Sequence, residues 1–116
     1  MKHNLSGHLA ELAARWYFRL HGWQILAHNY ITGRGTTAGE IDFIARKGNT
    51  LAFVEVKFRR DIISAAYAIS PTQQKRIRTA AANFLAKHSA YQAYNIRFDA
   101  VLVAFPLRLQ HIPNAF

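Results

Sequence analysis

Cysteine is absent from the chain, which excludes disulfides, thiol nucleophiles, iron–sulfur clusters and cysteine-based zinc sites. Acids are scarce: six Asp and Glu stand against 15 Lys and Arg, for a formal net charge of +9. No run of about 18 uncharged apolar residues occurs, so no spanning helix is expected. Residues Met1 to His8 lack the apolar run of a signal peptide, and the expected compartment is the cytoplasm. Repeats and low-complexity tracts are also missing. The six histidines include no pair at the i, i+4 spacing of a helical zinc site. No serine sits in a nucleophile elbow, and Gly33-Arg34-Gly35 is not followed by the Lys-Ser/Thr of a phosphate-binding loop.

What is present is a chain of 116 residues, 51% apolar, which suits one folded domain over residues 1–116. A domain of this size buries roughly two-thirds of its unfolded surface. The excess of positive charge points to a polyanionic partner, nucleic acid being the commonest. No sustained basic amphipathic helix favours anionic lipid instead.

Apolar residues Leu5, Leu9, Leu12, Trp16 and Leu20 recur at helical spacing, so residues 5–21 read as a helix with one apolar stripe, ended by Gly22. Residues 23–31 read as a strand, and 32–37 as a flexible polar loop. Residues 39–47 and 50–59 read as two strands joined by a two-residue Gly48-Asn49 turn, apolar on both faces and therefore central in a covered sheet. Ser70 caps a second helix with Pro71 in its first turn, running to about His88 with Ile77, Ala80, Ala81, Phe84 and Leu85 buried. Residues 96–105 are a last strand, and the tail 106–116 carries no clear signal. The predicted fold is α/β: order αβββαβ, with a mixed four-stranded sheet flanked by helices. Its first three strands form a meander, and its fourth returns parallel to the third.

Charge placement is the most informative feature. A two-residue turn sets Lys47 opposite Thr50, Ala45 opposite Ala52, Asp42 opposite Glu55, and Glu40 opposite Lys57. Two carboxylates that close on a buried sheet repel, so a proton or a cation belongs between them. A divalent metal with oxygen ligands, Mg²⁺ or Mn²⁺, is one solution. Lys57, two residues past Glu55, shares its face and is placed to orient a water or to neutralise a phosphate. The alternative is a Glu40–Lys57 cross-strand ion pair, with Asp42 and Glu55 solvated at the strand ends. Trp16, Trp23 and the tyrosines are expected in the core, and Asp99 is expected to be structural or to bind a main-chain group.

Gly39-Glu40-Ile41-Asp42 followed by Val54-Glu55-Val56-Lys57 resembles the signature of the PD-(D/E)XK nuclease superfamily, with the restriction-endonuclease-like fold. More closely, the chain resembles the small, largely uncharacterised YraN-like family of bacterial proteins. The match runs over roughly residues 7 to 103. It takes in Gly7, Glu11, Gly22, Asn29, the Phe53–Lys57 run, Ser70-Pro71, Gln74, and Arg97-Phe98-Asp99. Archaeal Holliday-junction resolvases are similar in size and motif order. The resemblance implies that Asp42, Glu55 and the Val56 carbonyl hold Mg²⁺ (or Mn²⁺), that Lys57 is catalytic, and that Glu11 completes the site with Gln74 nearby. Two departures stand out: Ala10 precedes Glu11 where the family usually has Gly, and Gln73 takes the place of a basic residue. By its helical phase, Glu11 lies opposite the Leu9–Trp16 stripe, which fits either a site-facing or an exposed position. Gln74 fits either a site contact or a solvated side chain.

Arg34, Arg59, Arg60, Lys75, Arg76 and Arg78 are the expected nucleic-acid contacts, touching phosphates without reading sequence. The expected activity is Mg-dependent endonuclease cleavage of DNA, structure-selective for branched substrates, in repair or recombination. Two alternatives are a non-catalytic nucleic-acid-binding module with the same fold and a protein-interaction component of a DNA-processing system. Resolvase-like relatives are often homodimers, but no interface residue is marked in this sequence.

Overall fold

The computed structural model describes residues 5–33, 39–60, 69–104 and 108–116, with backbone only for residues 5 and 6. Arg34, expected to touch nucleic acid, and most of the loop after Arg60 lie outside the described residues. The elements run α1 (Leu5–Leu20), β1 (Gln24–Thr32), β2 (Gly39–Lys47), β3 (Thr50–Arg59), α2 (Pro71–Lys87), a short 3₁₀ turn (Ser89–Tyr91), β4 (Asn95–Ala104) and β5 (Arg108–Ile112).

The architecture is α/β, and its sheet has five strands in the order β1-β2-β3-β4-β5. This corrects the expected four. β5 was not anticipated because Arg108–Ile112 has only a short, half-exposed alternation; its structure comes from antiparallel pairing with β4, from Ala104↔Arg108 to Ala100↔Ile112. The rest of the topology follows expectation. β1, β2 and β3 form an antiparallel meander, and β4 runs parallel to β3 after the α2 crossover. Lys47↔Thr50 and Ala45↔Ala52 pair across the Gly48-Asn49 turn, where Gly48 takes a left-handed φ of 58° that suits a two-residue hairpin.

The helices cover opposite faces of the sheet. On one, Ala10, Ala14 and Phe18 of α1 pack against Phe43, Ala45, Ala52, Val54, Val101 and Val103. On the other, Ile77, Ala80, Ala81 and Phe84 of α2 pack against Ile41, Ile44, Leu51 and Phe53. α2 opens with a full capping box: the Gln73 N–H donates to Ser70 Oγ at 3.1 Å, and the Gln73 side chain accepts from the Ser70 N–H. Gly39 is where β2 and α2 meet most closely. A Cβ there would lie 2.8 Å from the Ala80 nitrogen, so only glycine admits this approach.

α1 does not bury the stripe its periodicity suggests. Leu9, Leu12, Trp16 and Leu20 are exposed, Trp16 by 54% and Leu20 by 80%. The inward face is made of Ala10, Glu11, Ala14 and Phe18. Trp16 is therefore not a core residue. Small side chains let the helix lie close to the sheet, and a stripe of large residues would hold it away.

Candidate active site

Among the described residues four acids are buried: Glu11, Asp42, Glu55 and Asp99. A buried carboxylate is costly unless it is paired or hydrogen-bonded, so each marks a place with a reason.

Asp42, Glu55 and Lys57 sit where β2 and β3 part. The β2–β3 pairing ends at Phe43↔Val54, and Asp42 and Glu55 come one step later. Exposure falls to 1% at Asp42, 4% at Glu55 and 6% at Lys57. Asp42 Oδ2 accepts the main-chain N–H of Val56 at 2.7 Å, tying β2 to β3 through a side chain. Lys57 Nζ stands 3.3 Å from Glu55 Oε2, the two sharing one face at i, i+2. The cation beside Glu55 is thus its own strand neighbour.

Strand β2 changes phase at Asp42. Residues two apart on a regular strand share a face. Yet Ile41 packs in the α2-side cluster and Phe43 in the α1-side cluster. On the neighbouring strand, Asn29 lies between the pairs His28↔Phe43 and Tyr30↔Ile41, opposite Asp42, and has a left-handed φ of 53°. Both strands therefore twist at one level. The Asp42 carboxylate reaches β3, where its Oδ2 accepts the Val56 N–H. Sequence alternation cannot show this; the Asn at position 29, a residue type that tolerates left-handed backbone, is its one signal.

On the α2 side a small cavity of about 40 Å³ is lined by Glu40, Glu55, Gln73, Arg76 and Ile77. Of the helix-two residues expected near the site, Arg76 is there and Gln74 is not among the lining. The Gln74 amide donates to the Ile69 carbonyl at 3.3 Å. Gln73 occupies the place, one residue and about 100° around the helix. Glu11 is buried on α1, so its exposed alternative falls. Arg59, Arg60, Lys75, Arg76 and Arg78 are exposed, and Arg78 lies 4.5 Å over the Phe98 ring. Among the described residues, no group of three or more His, Asp and Glu forms a metal-binding arrangement, and no helix is long and apolar enough to cross a membrane.

Asp99 is a different kind of centre. It is fully buried on β4. It accepts from Arg97 Nη2 at 2.6 Å and Arg97 Nε at 3.2 Å, from His111 Nε2 at 2.7 Å, and from the Asn114 N–H at 3.0 Å. It binds a main-chain group as expected, and it fastens β5 and the last residues to β4. Burial pushes the Asp99 carboxyl up; the hydrogen bonds from His111, Arg97 and Asn114 and the charge of Arg97 outweigh this and hold it below its ordinary value. A depressed carboxylate contributes stability that is fully present above its unfolded value of about 3.9 and is lost as pH falls through the folded value.

The family model for "Uncharacterised protein family UPF0102" matches residues 10–103. The chain belongs to the UPF0102 family. It is 47% identical over 111 residues to a UPF0102 protein of Paramagnetospirillum magneticum, covering 95% of this chain and 85% of that one. A UPF0102 protein of Bradyrhizobium diazoefficiens is 43% identical, over 96% of this chain and 80% of its own. One from Rhodopseudomonas palustris is 40% identical, over 96% and 82%. The UPF0102 match spans all four buried acids, Lys57, and the cavity beside Glu55.

Proposed function

We propose that this protein is a divalent-metal-dependent nuclease of the restriction-endonuclease-like fold that hydrolyses DNA phosphodiesters. The observation that carries the reading is the burial of Asp42, Glu55 and Lys57 together at the point where β2 and β3 part, in a chain with only six acids. The donor set fits Mg²⁺ or Mn²⁺: two carboxylates and the Val56 carbonyl are hard oxygen donors on adjacent strands. Asp42, Glu55 and Val56 would hold the ion, which when bound supplies Lewis-acid stabilisation of the phosphate and activation of water.

The chain's own residues do the rest. Asp42 is oriented by the Val56 N–H, and Glu55 is paired with Lys57 at 3.3 Å. Lys57 presents an ammonium group that orients the attacking water or stabilises charge on the phosphoryl oxygens. Arg76, lining the cavity beside Glu55, supplies an anion contact at the same place. Glu11 is carried as a further acidic member of the site. Arg59, Arg60, Lys75 and Arg78 hold the DNA backbone, which gives binding without sequence readout and with a steep salt dependence. That suits a substrate chosen by structure, such as a branched DNA.

The test compares the parent with Asp42→Asn, Glu55→Gln and Lys57→Ala on branched and linear DNA with Mg²⁺, Mn²⁺ or chelator. Cleavage by the parent is expected, with each variant slower by at least about a hundredfold. Equal cleavage by parent and variants sinks the reading. Charge removal at Arg59 or Arg60 is expected to lower the log–log salt slope of binding by about 1 each.

One observation favours a second reading, a DNA-binding module without cleavage. Lys57 stands 3.3 Å from Glu55, so a cation from the chain itself is already beside that carboxylate. In that case DNA binding survives chelation unchanged, and Asp42→Asn does not alter it.

A further inference from the structure

A second cleft lies away from the carboxylates, at the turn end of the sheet. It has a volume of about 340 Å³, within the size range of small-ligand sites. Tyr17, Trp23, Lys47, Thr50, Arg97 and His111 line it, together with His21 and Pro113. Among the described residues lining it there is no acid. Thr50 is five to seven positions along β3 from Glu55 and Lys57, roughly 17–23 Å in an extended strand.

We propose that this cleft binds a nucleoside phosphate, the aromatic walls taking the base and the two cations taking the phosphate. The walls are aromatic. Tyr17 lies against His21 with centroids 4.2 Å apart and the rings tilted by 32°, and it meets His111 edge-on at 5.5 Å. Arg97 lies 5.2 Å over the Trp23 ring, so a phosphate drawn to the guanidinium brings its base beside the indole. Lys47 is anchored across the cleft by donating to the His21 carbonyl at 2.7 Å. Thr50 adds a hydroxyl.

The cations are held in advance of any ligand. Buried Asp99 grips Arg97 through Nε and Nη2, which fixes the guanidinium plane and leaves Nη1 outside that fork. The same carboxylate holds Nε2 of His111. Two side chains that would otherwise lose rotamer freedom on binding are already ordered. Asp99 alone can be explained as a fastener for β5. The fastener, the open volume, the aromatic walls and the cationic Lys47 and Arg97 together describe a receptor for an aromatic anion. The phosphate can come from a free mononucleotide or from the phosphorylated end of a strand.

The chain has two tryptophans, so the exposed Trp16→Phe background leaves Trp23 as sole indole reporter. Its fluorescence is titrated without metal against AMP, adenosine, and a 5′-phosphorylated deoxytetranucleotide. A saturable change with AMP or the tetranucleotide is expected, with adenosine weaker than AMP by about tenfold or more for want of the charge-assisted contacts. Lys47→Ala, a surface change that leaves the fold intact, is expected to weaken phosphate-bearing ligands about fivefold. Tighter binding of AMP assigns the site to free nucleotides; tighter binding of the tetranucleotide assigns it to strand ends. The proposal is overturned if neither gives a saturable change at millimolar concentration, if adenosine binds as well as AMP, or if Lys47→Ala binds as its parent does. Because neither metal nor cleavage enters the readout, these outcomes are independent of the nuclease reading.

Discussion

The two long helices are nearly the same length, 16 and 17 residues, and they cover opposite faces of one sheet by opposite means. α2 turns its apolar stripe inward, and Ile77 and Phe84 fill the core. α1 turns Ala10, Glu11, Ala14 and Phe18 inward and leaves Leu9, Leu12, Trp16 and Leu20 outside. A helix that only covers a core buries its largest side chains. The two alanines on α1's inner face permit a closer approach to the sheet, because separation is set by what lies between the two surfaces. The contrast sets α2, which fills its core with Ile77 and Phe84, against α1, whose inner face carries two alanines, the buried Glu11 and one large side chain, Phe18.

Chemical or thermal unfolding can break this contrast. Phe84→Ala should cost the most, about 3–5 kcal/mol, since it empties a packed site on α2. Ala14→Leu should cost about 1–3 kcal/mol by forcing α1 off the sheet, the reverse of what adding apolar volume does at a surface. A stable Ala14→Leu variant would show that the close approach is not required. Glu11→Gln sharpens the functional side. Metal-dependent cleavage should fall about tenfold or more, while the unfolding midpoint moves far less than in Phe84→Ala. Smallest of all, Trp16→Ser and Leu20→Ser should each stay within about 0.5 kcal/mol of the parent. A larger loss would mean that the outer stripe is covered.

Much of this was legible in the sequence. The Gly48-Asn49 turn determined the register of β2 against β3 from Lys47↔Thr50 to Phe43↔Val54, one step short of the expected Asp42–Glu55 and Glu40–Lys57 pairs. Ser70 and Pro71 marked the start of α2, where local capping chemistry decides the boundary. What escaped depends on contacts distant in the chain. β5 exists because β4 offers an edge and Asp99 captures His111 twelve positions later. On α1 two faces have helical periodicity, and only the sheet's demand for a close neighbour selects the one with alanines. The difference between Gln73 and Gln74 is one residue of helical rotation, below what pattern alone resolves.

Strand β1 forms one border of the sheet, and a border strand presents unpaired amides and carbonyls that can recruit another chain. This border is a poor template. Its pairing register shifts between Ile25 and Ala27, and Asn29 breaks the extended backbone again with its left-handed φ. No straight run longer than a few residues remains for an incoming strand to match. The irregular backbone opposite Asp42 therefore leaves the border beside exposed Ile31 poorly matched to an incoming strand, and a substitution that favours extended backbone, Asn29→Val, is expected to raise light scattering on storage relative to the parent.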